Sequence, residues 1–62
     1  MDAMENERLT KAHQCAQLLA ADLREVASTT ESTALEILAM EMLEQVMQTT
    51  QRLYRLVKAS EA

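Results

Sequence analysis

The sequence predicts an all-α fold: an antiparallel two-helix hairpin that dimerises into a four-helix bundle. Three observations carry this expectation. Glycine and proline are both absent from the 62 residues, while Ala and Leu abound. Helix formers therefore dominate, and the commonest helix breakers are missing. Apolar residues recur at alternating steps of three and four through two long stretches, the heptad pattern of packed helices. One hydroxyl-rich segment, Ser28-Thr29-Thr30-Glu31-Ser32-Thr33, separates those stretches. Val and Ile are few and Tyr54 is the single aromatic residue, which argues against a sheet.

Helix 1 is expected over about residues 3–29. Asp2 suits its N-cap, with Glu5 three residues on in the capping-box position. Its seam runs Leu9, Ala12, Ala16, Leu19, Leu23, Val26, flanked mainly by polar residues. A turn is expected over about 30–33. Ser and Thr side chains compete for nearby backbone groups and so favour helix ends. Two capping boxes are available there, Ser28 with Glu31 and Thr33 with Glu36. Helix 2 is expected over about 34–59, with the seam Leu35, Ala39, Met42, Val46, Thr49, Leu53, Leu56.

The heptad register slips by two residues across the turn, which favours two helices over one continuous coil. Antiparallel layering then pairs Leu9 with Leu56, Ala12 with Leu53, Ala16 with Thr49, Leu19 with Val46, Leu23 with Met42 and Val26 with Ala39. The competing register sets Leu53 and Leu56 against Glu5 and Asp2. It is disfavoured because each buried Leu is worth about 1.5–3 kcal/mol. The preferred layering centres the turn on Ser32–Thr33.

Helix 2 also carries a second stripe, Met40, Leu43, Met47, Thr50, Tyr54, Val57, about 100° round from the first. One hairpin cannot bury both stripes. A chain this short buries only about 60% of its unfolded surface and needs a further source of stability. A lone cysteine, Cys15, excludes an internal disulfide. Association remains, so Met40, Leu43, Met47, Tyr54 and Val57 are the expected dimer or partner interface. The occupant is expected to be a second copy, or else a helix of another protein laid in a groove. The acids concentrate near the turn, six acids and one base in residues 22–44, so the turns of a dimer are expected at opposite ends.

Catalytic and cofactor chemistry finds little footing. His13 and Cys15 are the soft metal ligands, and at two residues apart on a helix they face different ways. Helix 2 has no His for the Glu-x-x-His pattern of di-iron bundles. Without glycine there is no glycine-rich phosphate loop. A tight hairpin offers no cleft for paired acids. Neither an enzyme nor a cofactor is expected. The net charge of −4 disfavours generic nucleic-acid binding. Arg8, Lys11, Arg52, Arg55 and Lys58 do fall at the open end of the hairpin, where they could meet phosphate. Pairing with nearby acids and with the helix 2 dipole accounts for them more simply. No apolar run approaches the roughly 20 residues that span a bilayer. A polar start and a single free thiol suit the cytoplasm.

In length, helix number and heptad seams the chain resembles small bacterial hairpin proteins that dimerise into four-helix bundles, such as the plasmid copy-number regulator Rop. In size it is similar to small secretion-system chaperones. The expected function is a protein–protein interaction module: an adaptor, regulator or small chaperone. The alternative is a Rop-like nucleic-acid-binding regulatory bundle using the basic open end.

Overall fold

A computed structural model describes residues 3–61 and shows two antiparallel helices, α1 (Ala3–Thr29) and α2 (Thr33–Glu61), with no strand among the described residues. Asp2, the expected cap of α1, lies outside the described residues. The non-helical turn covers residues 30–32, slightly earlier than the Ser32–Thr33 centre that layering suggested.

Hydroxyls end one helix and start the next. Ser28 Oγ donates back to the carbonyls of Arg24 and Glu25, and Thr29 Oγ1 donates to that of Glu25. The Thr30 amide closes the last turn on Val26 O at 3.0 Å. Thr30 Oγ1 then accepts from the Ser32 amide at 3.1 Å, and Ser32 Oγ accepts from the Leu35 amide at 3.3 Å. Ser32 is therefore the N-cap of α2. Neither of the two capping boxes available in the sequence forms. Thr33 is already helical and Ser28 is bonded backwards, so neither reaches an amide three residues ahead. No described residue has a positive φ, which explains how the chain turns without glycine.

The hairpin seam contains Leu9, His13, Ala16, Ala20, Leu23 and Ala27 of α1, and Ala39, Leu43, Val46, Thr50, Leu53 and Val57 of α2, all buried or half-buried. Asn6 donates to Ser60 across its open end. From that bond, steps of three and four place Leu9 opposite Val57, His13 opposite Leu53, Ala20 opposite Val46, Leu23 opposite Leu43 and Ala27 opposite Ala39. This corrects the expected layers. Heptad reading puts Ala12, Leu19, Val26, Leu35, Met42, Thr49 and Leu56 in the seam, but they lie exposed. Each except Leu35 is replaced by the residue one position on in its helix, and Glu36, which follows Leu35, is exposed as well.

Small side chains explain the shift. Interaxial distance depends on the side chains at the contact, and exchanging Leu19 and Val26 for Ala20 and Ala27 lets the backbones approach closely. A seam through Leu19, Val26, Leu35 and Met42 would hold them apart. Polar seam residues are satisfied locally: Thr10 donates to Asn6 O at 2.8 Å, Thr50 to Val46 O at 2.7 Å, and Ser60 to Val57 O at 2.7 Å. No buried side-chain polar atom among the described residues lacks a partner.

The Cα trace measures 46 × 14 × 10 Å, one layer of two helices. Its radius of gyration is 14.2 Å, against about 10.5 Å for a compact domain of this length. Stable domains bury their apolar faces between at least two layers. No described side chain is fully buried.

Candidate functional site

The rotated seam leaves two different surfaces. An antiparallel pair has an approximate two-fold axis normal to its plane, so equivalent heptad positions on the two helices share a face. Positions just before the α1 seam residues His13, Ala20 and Ala27 and the α2 seam residues Leu43, Thr50 and Val57 therefore come together. They are Ala12, Leu19 and Val26 of α1 with Met42, Thr49 and Leu56 of α2, joined by Leu35 one heptad earlier. The five large residues of this face are 45–54% exposed. Both helices contribute to it, and Leu38 borders it.

The opposite face is apolar on α2 only. Met40, Met47 and Tyr54 line its α2 edge, facing Thr10, Gln17 and Arg24 of α1. Arg24 Nη2 approaches Met47 Sδ at 3.9 Å. The His13 and Tyr54 rings meet at 5.8 Å between centroids, tilted by 47°. Lys58 Nζ lies 5.4 Å from the centre of the Tyr54 ring. Of the five residues expected to form the interface, Leu43 is only 5% exposed and Val57 is half-buried, both inside the hairpin. Met40, Met47 and Tyr54 remain outside. Leu43 and Val57 sit where the two stripes of α2 meet, and the close approach of α1 claims them for the seam.

A groove of about 610 Å³ follows the outer flank of α2, with Met40, Leu43 and Met47 among its lining residues. Glu36, Glu41 and Glu44 also line it, with Gln48 and Gln51 towards its far end.

The five basic residues stay near the open end without forming one patch. Lys11 pairs with Glu7 at 3.5 Å and Lys58 with Glu61 at 3.6 Å, each along its own helix and in solvent. Exposed pairs of this kind contribute about 0–1 kcal/mol. Arg55 borders a small hollow with His13 and Tyr54. Arg8 and Arg52 hold equivalent positions beyond the Leu19–Leu56 face. Cys15 is a free, exposed thiol. Among the described residues, no three His, Cys, Asp or Glu side chains are grouped to hold a metal ion. No described helix is long and apolar enough to cross a membrane.

No protein-family model, curated protein or solved structure matches this chain.

Proposed function

We propose that the chain is a small, non-enzymatic protein–protein interaction module that acts as a homodimeric helical bundle. The exposed face of Leu19, Val26, Leu35, Met42 and Leu56 carries this reading. It is apolar and built from both helices, which supports a second layer stacked on it. The area supports a second copy as that layer. The chain exposes 4844 Å², whereas a compact protein of 7.0 kDa exposes about 4,000 Å². The excess, about 800 Å², matches what each partner buries in a standard specific interface. Two hairpins stacked on this face make a four-helix bundle in which heptad "a" and "d" positions fill the centre. An adaptor, regulator or small chaperone would use the outside of that bundle.

Sedimentation equilibrium in reducing buffer tests the reading. The wild type is expected at twice 7.0 kDa. Met42→Glu puts a charge in the centre of the face and is expected to give monomers. Met47→Glu, on the other side, is expected to leave the dimer intact. A wild type that stays monomeric at concentrations on the order of 100 μM, above the micromolar-to-picomolar range of standard-size interfaces, overturns the reading.

The alternative, a nucleic-acid-binding regulatory bundle, rests on the five bases at the open end. Two of those bases already pair with carboxylates, and Tyr54 is engaged by His13 and Lys58. A gel shift at low salt separates the readings: retardation of structured RNA or duplex DNA that Arg52→Ala/Arg55→Ala abolishes favours the alternative.

A further inference from the structure

We infer that the outer flank of α2, from Glu36 to Gln51, is a docking groove for a basic amphipathic helix of another protein. This rests on the reading above, in which the Leu19–Leu56 face takes the second copy and leaves the flank of α2 free. Three features of the groove define its occupant. Its apolar lining includes Met40 and Met47, and unbranched, polarisable methionines adapt to varied apolar side chains. Every charged residue lining it is a carboxylate: Glu36, Glu41 and Glu44. Among the described residues, none of the three has an ion-pair partner. Glu41 and Glu44 lie one helical turn apart, so their mutual repulsion is relieved by a cation placed between them. The span from Glu36 to Gln51 is about 22 Å at 1.5 Å per residue, the length of a partner helix of about fifteen residues.

Apolar anchors at i, i+3, i+4 and i+7 would meet the methionines, and Lys or Arg beside those anchors would meet the carboxylates. A second copy fits this flank less well than it fits the opposite face. The flank is apolar on one helix only, and α1 edges it with Gln17 and Arg24. The chain's own net charge of −4 also opposes seating a like-charged partner on three carboxylates.

The test uses a fluorescein-labelled synthetic helix of about eighteen residues, with Leu on one face and Lys on its flanks. Its control has each Lys replaced by Glu. Fluorescence anisotropy is read on the full chain at low salt. The Lys peptide is expected to bind saturably, and the Glu peptide at least about tenfold more weakly. Glu41→Gln/Glu44→Gln and Met47→Ser are each expected to weaken the Lys peptide by about tenfold while keeping wild-type helicity and the dimer. All three positions are exposed, so loss of binding is not loss of fold. Equal binding of both peptides, no saturable binding, or binding untouched by these variants overturns the groove. Sedimentation distinguishes failure of the dimer reading. If Met47→Glu rather than Met42→Glu splits the dimer, the groove is occupied by a second copy and the proposal falls with the face assignment. If the wild type is monomeric and Met42→Glu alone abolishes peptide binding, the helix docks on the Leu19–Leu56 face and the groove is refuted.

Discussion

Leu43 shows how one side chain can belong to either of two stripes. It follows Met40 by three and precedes Met47 by four, so periodicity places it on the outer stripe. The structure places it among the most buried apolar residues, and the register of the Asn6–Ser60 bond sets it opposite Leu23. Leu43→Ala is expected to destabilise the hairpin by about 2–4 kcal/mol in urea unfolding. The same truncation at Leu38, outside the seam and about half exposed, is expected to reduce stability by less than half as much. The Asn6–Ser60 bond is the polar counterpart at the open end, where Ser60 is 6% exposed. A double-mutant cycle with Asn6→Ala and Ser60→Ala is expected to return a coupling of about 1 kcal/mol. A coupling near zero would mean that the bond does not hold the register. Neither role was legible beforehand. Heptad reading looks for apolar positions, and Asn6 and Ser60 enter the seam as polar ones.

The turn was visible as a place but not as a mechanism. Five hydroxyl residues in six marked the break because they compete with helical backbone bonding. Which of them caps α2 depends on where the chain reverses. Ser32 takes the role through the Leu35 amide. Ser32→Ala is expected to reduce stability by about 1 kcal/mol. Thr33→Ala, at a helical position without a cap, is expected to change it by less than about 0.5 kcal/mol. Equal effects, read from thermal unfolding, would contradict Ser32 as the cap. The helices show a similar gap. Leu9, Ala16, Leu23, Ala39, Val46 and Leu53 occupy one heptad position in any reading of the pattern. Their companions differ, because a wide apolar stripe lets a helix face two neighbours. In α1 the hairpin partner sits on the side carrying Ala20 and Ala27, and Leu19 and Val26 are left outward.

For the assembly, charge and shape bear on orientation. The acids near the turn make that end of each hairpin negative, so two stacked hairpins are expected to point their turns apart. Spin labels on Glu31→Cys, in a Cys15→Ser background, are then expected to lie on the order of 40 Å apart, close to the 46 Å length of one hairpin. Distances below about 20 Å would place the turns together and show that apolar packing overrides screened surface charge. The thinness of the single layer, 10 Å in its least dimension, is the physical argument behind the proposed second layer.

Periodicity and composition alone established two helices, an antiparallel hairpin and more apolar surface than one hairpin can cover. These are local properties: helix propensity, step pattern and the breaking power of clustered hydroxyls all act within a few residues. The phase of the seam is not local. Rotating both helices by about half a residue step exchanges Leu19, Met42 and Leu56 for Ala20, Leu43 and Val57 without altering any helical hydrogen bond. The choice between those states depends on how closely two backbones pack when alanines meet across the seam. That is a property of the pair, so it emerges only when α1 and α2 are brought together.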